Sequence, residues 1–310
     1  MESTIYRFGG LRIASDFPLF GLPVCVNETE ARCEVVIRCA PIPDRLASAT
    51  ATFLDGHYSG TYNGKEVILE SSTLGRFLLR AGEEILIDLV PSSDVDHVRA
   101  YLLGAVFGAL CHQRGITPLH ASAINLAGSC IAFVGASGAG KSTLVAALSQ
   151  RGHEIMADDE CFLQLSTDGG VQAWPGISRI RLWNDARAAL GFAGPGVERE
   201  MRRYKKYFVP VPPPRHPIQS GPLRRIYQLH CVPNGVTEMT RLRGADAVEV
   251  LMQNVYPPGV AARLGYQPHA FTVCAAAARD ASVFRFSRSL DFAALDQGIE
   301  LLESHLRDMP

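Results

Sequence analysis

Residues 130–150 read CIAFVGASGAGKSTLVAALSQ. An apolar run, Cys130 to Val134, enters a glycine-rich turn, and a helix-forming stretch, Lys141 to Gln150, leaves it. The turn, Gly135-Ala136-Ser137-Gly138-Ala139-Gly140-Lys141-Ser142, matches the GxxxxGK[ST] pattern of a phosphate-binding loop. The residue types have a physical reason. Gly135, Gly138 and Gly140 let the backbone turn its N–H groups inward, in conformations that a side chain would obstruct. The start of the following helix adds partial positive charge. Lys141 is placed to reach β- and γ-phosphates, and the Ser142 hydroxyl to ligate Mg²⁺. Thr143 follows in the first turn. A strand before the loop and a helix after it are the context that separates this motif from a chance glycine turn.

Working outward, a second strand is expected at 119–126, joined to the first through Ala127-Gly128. After the helix, Gly152 is a stop, and a strand at 154–157 leads into Asp158-Asp159. Strand, loop, helix, strand and acidic pair follow in the order of a phosphate-binding α/β nucleotide fold. Two successive carboxylates at a strand end point to different sides, so one is available to a metal and the other to an attacking hydroxyl. His120 lies on the strand expected to pair with the one feeding the loop. That placement makes it a candidate to orient an aspartate or to contact a transferred phosphate. His112 and His153 lack such placement and read as structural or surface groups.

Upstream, short apolar or alternating runs recur at 5–13, 33–39, 66–69, 76–79 and 85–89, separated by turn residues such as Asn63-Gly64 and Gly82-Glu83. These predict a β-rich N-terminal domain over residues 1–94. From Ser93 or Asp94 a capped helix is expected, with Val98, Tyr101, Leu102, Val106 and Leu110 on its apolar face, ending near Arg114-Gly115. The catalytic domain is expected over 95–310. Within it, 191–221 is Gly/Pro-rich and carries the basic cluster Arg199, Arg202, Arg203, Lys205 and Lys206. It reads as a loop that either clamps an acidic partner or is simply solvated. Order is expected to resume at 225–232, and a final helix spans about 292–306.

Of the 310 residues, 47% are hydrophobic and 20% charged, with a formal net charge of -1. That composition suits a globular protein with a sizeable core. It offers no global electrostatic case for nucleic acid or an anionic membrane surface. The eight cysteines form no CxxC pair, and most sit in apolar runs, which predicts reduced thiols and a cytoplasmic protein. The Cys33/Cys39 spacing permits a cross-link, but the strand between them explains the pattern. No signal peptide and no membrane-spanning run is recognisable.

The series PLHASAI, FVGASGAGKST and RGHEIMADDE, over about residues 117–163, resembles the catalytic domain of the HPr kinase/phosphorylase family. The resemblance implies an HPr kinase C-terminal / phosphoenolpyruvate carboxykinase-like P-loop core, with ATP and Mg²⁺ as cofactors. It gives Asp158 the role of base toward a substrate serine, Lys141 that of phosphate holder, and Ser142 and Asp159 the metal, with His120 supporting Asp158. The family's glutamate-bearing second signature is not recognisable. Residues 174–191 read WPGISRIRLWNDARAALG instead, with Asp185 their only acid and Arg179 and Arg181 alternating before it. YRFGGLRIASDFPL, YLLGAVFGALCHQRG and SRIRLW are similar to the HPr-kinase-like proteins of modified-peptide pathways. Some of these phosphorylate the C-terminal serine of a lasso-peptide precursor. The resemblance thus implies a serine kinase acting on a peptide or protein, with homo-oligomers among relatives of this core. The alternatives are a small-molecule kinase and a nucleotide-switched binding protein without catalysis.

Overall fold

The computed structural model describes all residues except 1–2, 27–31, 48, 50, 56–57, 178, 195–196, 200–205, 213–217, 233–235 and 309–310. The chain is mixed α/β and divides into two compact units. One holds residues 1–118 and 255–270, the other 119–254 and 271–310. The helical stretch after residue 94 therefore belongs to the first unit, whereas the boundary expected from sequence assigns it to the second.

The first unit is built on an eight-stranded sheet. Its order is Thr4–Phe8, Leu11–Ser15, Val35–Cys39, Glu84–Leu89, Gly75–Arg80, Glu66–Ser71, Tyr58–Tyr62, Ala51–Asp55. The expected single run at 5–13 is a hairpin, because Gly9 and Gly10 both take positive φ and turn the chain between two strands. The central strands are buried on both faces, so they read as near-continuous apolar runs: Phe77, Leu78 and Leu79 are all fully buried. On one face Leu78 and Ile68 pack with Ile42 and Leu46. Phe77 meets Tyr101 edge-on, with ring centroids 5.1 Å apart. Tyr101 closes the helix Val95–Tyr101, which Asp94 caps by accepting from the N–H groups of Asp96 and His97 at 2.9 and 3.3 Å. The chain continues as a π-helical turn, Leu102–Val106, and the helix Phe107–Gln113.

In the second unit, Ser129–Val134 lies between two partners. Thr117–Leu126 pairs with it antiparallel and Gly221–Cys231 parallel. Thr117–Leu126 continues to Glu160–Leu165 and Val171–Trp174, and the latter pairs back to Gly221–Cys231, so five strands close a ring. Ser282–Arg288 extends the sheet parallel to Gly221–Cys231, with Glu238–Leu242 at the edge. Phe133, Tyr227 and Phe286 are fully buried in one core with Leu144 and Leu148 of the helix Lys141–Gln150 and Leu302 of the helix Leu295–Arg307. Each such side chain contributes about 1.5–3 kcal/mol relative to exposure. This packing holds the helix that follows the glycine loop.

The stretch expected to be loop at 191–221 contains the strands Glu198–Arg199 and Lys206–Val209, which with Ile180–Trp183 form a three-stranded sheet. Ile180, Leu182 and Val209 join the main core of the unit. All eight cysteines are free thiols. Among the described residues, no helix is long and apolar enough to cross a membrane.

Candidate functional site

The glycine turn is shaped as its composition requires. Gly135, Gly138 and Gly140 have φ of +141°, +85° and +83°. A Cβ on Gly135 would sit 2.9 Å from the Leu229 carbonyl oxygen, so here glycine is required by space as well as by conformation. The Gly135 N–H donates to Asn254 Oδ1 at 3.0 Å, and Asn254 Nδ2 donates to the Val250 carbonyl at 2.7 Å, which pins the loop's entrance to a distant helix. Gly140 is the N-cap of the helix Lys141–Gln150 in the left-handed conformation. Its carbonyl accepts from the Leu144 N–H at 2.9 Å and closes the first turn.

An open cavity lies over this turn. Of the residues expected from sequence, His120, Ser137, Gly138, Gly140, Lys141, Ser142, Thr143 and Asp159 line it. Gly135, Ala136, Ala139 and Asp158 do not. Arg181, Trp183, Asp185, Lys206, Arg288, Asp291 and Phe292 add polar and aromatic groups to its wall.

Lys141 is only 6% exposed. Its ammonium folds back on the loop, donating to the carbonyls of Gly135 at 2.7 Å and Ala136 at 3.3 Å. Burial lowers its pKa to about 8; Asp158 pulls it upward and Lys206 pushes it further down.

Asp158 is 4% exposed and accepts from three groups. Ser122 Oγ and Ser142 Oγ donate to Oδ1 at 2.6 and 2.9 Å, and the Arg181 N–H donates to Oδ2 at 3.2 Å. Asp159 takes a positive φ, +75°, rare outside glycine, which swings its carboxylate into the cavity and onto the Arg181 guanidinium. The acidic pair thus diverges, but not by strand alternation: the strand Glu154–Ala157 has ended before it, and the turn at Asp159 parts the two carboxylates.

His120 Nδ1 lies 3.0 Å from the Asp159 carbonyl, which also accepts from the Ala121 N–H. A carbonyl only accepts, so Nδ1 carries the proton. Burial first, then the charge of Lys141, lowers the pKa of His120 to about 4. The imidazole is therefore neutral at pH 7.

Glu160, next in sequence, is buried and turns away from the cavity; burial pushes its carboxyl up to about 8. The basic cluster is seen only in part. Lys206 stacks over Trp183, 5.1 Å from the ring centroid. Arg202, Arg203, Lys205 and the Arg199 side chain lie outside the described residues. Arg179 stacks on Phe208, 3.9 Å from the ring centroid.

Several groups of the site were not singled out from sequence, Leu290, Asp291 and Phe292 among them. Ser122 had a signal, since it lies two residues after His120 on one strand. Trp183 had only its place in SRIRLW, and Asn254 and Arg288 had none, because each reaches the loop from a remote element. Among the described residues, no three His, Cys, Asp or Glu side chains cluster into a protein-only metal site. Mg²⁺ arriving with a nucleotide needs only one or two protein oxygens, and the adjacent Ser142 Oγ and Asp158 Oδ1 fit that demand.

No protein-family model matches the chain, and no curated protein does. Among solved structures, the chain is similar to the HPr(Ser) kinase/phosphatase from Coxiella burnetii. The identity is 12% and the TM-score 0.30, over 61% of this chain and 97% of that one.

Proposed function

We propose that the chain is a Mg-ATP-dependent kinase that transfers the γ-phosphoryl group to a hydroxyl, on an acceptor serine of a peptide or protein. One observation carries the reading: Ser142 of the glycine loop is bonded to Asp158 at 2.9 Å, beside a cavity that holds Lys141 and Asp159 together. A loop for phosphate, a hydroxyl–carboxylate corner for a metal and a second acid lining the cavity beside Arg181 are the parts that phosphoryl transfer uses.

The hydrogen bonds favour an allocation of the two acids opposite to the one the family resemblance implies. Asp158 is buried, with three donors already on its two oxygens, and it touches the metal-side hydroxyl of Ser142. Asp159 lines the cavity, where an acceptor hydroxyl would lie, and its ion pair with Arg181 would open for it to take the proton. In this scheme the new bond joins the acceptor oxygen to the γ-phosphorus as the β–γ bridging bond breaks. The hydroxyl proton passes to Asp159, and Lys141 exchanges its two loop carbonyls for phosphate oxygens. Bound Mg²⁺ supplies neutralisation of the β- and γ-phosphate charge. Neutral His120 holds the Asp159 backbone in its strained turn.

The test is phosphate transfer from Mg-[γ-³²P]ATP to serine peptides, free serine and sugars, alongside nucleotide-binding titrations with and without Mg²⁺. Asp159→Asn should keep Mg-ATP affinity and lose about 10²–10⁴-fold in transfer. Asp158→Asn should lose the Mg²⁺-dependent part of nucleotide affinity. Labelling of free serine or a sugar but of no peptide makes the chain a small-molecule kinase. Nucleotide binding with no labelling at all makes it a nucleotide-switched binder. If Asp159→Asn transfers at the parental rate, the allocation of the acids is wrong.

A further inference from the structure

Arg288 is the last residue of the strand Ser282–Arg288, nearly 150 positions beyond the glycine loop. It lines the same cavity although it is only 5% exposed. Its Nη2 donates to the carbonyls of Ala139 and Gly140, both at 3.2 Å. Nη1 reaches the Ser289 carbonyl at 3.5 Å, and the buried Nε has no acceptor. Among the described residues no carboxylate lies within ion-pair reach of it. The acids of the cavity are otherwise engaged: Asp159 with Arg181, Asp291 as acceptor for the Ala293 N–H, and Asp185 with the Ala186 N–H.

A buried guanidinium cannot shed its proton, and two or three carbonyl dipoles are a poor substitute for a counter-ion. Its position is where an anion is favoured. A Cβ on Gly140, the helix N-cap, would lie 2.5 Å from Arg288 Nη2, so the guanidinium is packed on the N-terminus of the helix Lys141–Gln150. Directly after Arg288 the chain presents Leu290 and Phe292 to the same cavity, 43% and 39% exposed. Leu290 Cδ2 would be 3.5 Å from that same Gly140 Cβ. A charge demanding an anion therefore adjoins an uncovered apolar shelf on one side of the loop.

We infer that Arg288, Leu290 and Phe292 form the nucleoside-side wall of the site. Arg288 binds the phosphate nearest the nucleoside, and Leu290 with Phe292 receives the base. Arg288 is a binding residue here, and the loop carbonyls hold it in place until a phosphate replaces them. This inference rests on the nucleotide reading of the loop and adds the direction in which the nucleotide lies.

Two probes separate the parts: inorganic tripolyphosphate, which has no base, and ATP. Both are titrated calorimetrically into the parent chain, Arg288→Gln, Arg288→Lys and the double variant Leu290→Ser/Phe292→Ala. Arg288→Gln should weaken tripolyphosphate and ATP alike, by about 30-fold or more, with Arg288→Lys in between. Gln keeps donors for the two loop carbonyls, so its thermal unfolding should stay cooperative and near the parental temperature. The double variant should weaken ATP about 5–10-fold and leave tripolyphosphate unchanged. The inference is overturned if folded Arg288→Gln binds tripolyphosphate as the parent does, or if the double variant binds ATP at parental affinity. A parent chain that binds neither probe overturns the nucleotide reading itself.

Discussion

Nucleotide binding is expected to draw a proton onto Lys141. In the free site the ammonium is buried, hydrogen-bonded among the described residues to two backbone carbonyls, and depressed to about 8. Near pH 8 a substantial share of the molecules therefore carry the neutral amine. A polyphosphate beside it favours the charged form and returns the pKa toward the ordinary value of about 10.4. The sign follows. The pKa is higher in the complex than in the free protein, so affinity is greatest below pH 8 and falls as pH rises from there to the bound value. The limiting slope is about tenfold per pH unit, and binding at pH 9 should be about tenfold weaker than at pH 7. At pH 8 about half a proton should be taken up per nucleotide, read by calorimetry in buffers of different ionisation enthalpy with a non-hydrolysable ATP analogue. His120 does not interfere, since its pKa lies near 4. Lys141→Arg removes the titrating group while keeping the charge, so its affinity should be flat across the same range. Equal affinity at pH 7 and pH 9 for the parent, with no proton taken up, would refute the burial argument. A slope that survives in Lys141→Arg would move the titration to another group.

Two further outcomes follow from single contacts. Asn254→Ala removes the acceptor of the Gly135 N–H and the donor to the Val250 carbonyl. It should cost about 1–3 kcal/mol in chemical denaturation and weaken nucleotide binding, whereas Asn254→Asp, which keeps the acceptor, should retain more of both; unchanged affinity in the alanine variant would show that the loop is not held from there. Glu160 is raised to about 8 from an ordinary carboxyl value by burial, so the stability it contributes is fully present below about pH 4.5 and lost as pH rises to 8. Glu160→Gln should flatten the pH dependence of the denaturation midpoint over that window and be more stable at pH 8 by on the order of 2–4 kcal/mol; parallel curves for the two proteins would place Glu160 outside the buried set.

What is local in this site is legible in the chain, and what is non-local is not. Gly135, Gly138 and Gly140 stand at positive φ, and the helix begins at Lys141, because neighbours in sequence dictate it. The placement of His120 and Ser122 along one strand follows from alternation, whereas Asp158 and Asp159 part at a positive-φ turn beyond the strand Glu154–Ala157, which alternation does not report. The groups that restrain these residues come from far along the chain. Ser122 reaches Asp158 across 36 positions, Asn254 reaches Gly135 across 119, and Arg288 reaches Ala139 across 149. No periodicity reports such meetings: Ser122 meets Asp158 because Thr117–Leu126 pairs with Glu154–Ala157, and Arg288 nears the loop because Ser282–Arg288 and Ser129–Val134 both lie parallel to Gly221–Cys231. The misread stretch at 191–221 fails for the same reason. Its glycines and prolines describe the chain ends of a strand that exists only because Lys206–Val209 finds Ile180–Trp183 as a partner. The glycine loop is built from one continuous motif, so its shape is legible in the sequence. The other lining residues, Leu290 and Phe292 on one stretch and Trp183 and Lys206 on two others, come from separate elements of the chain.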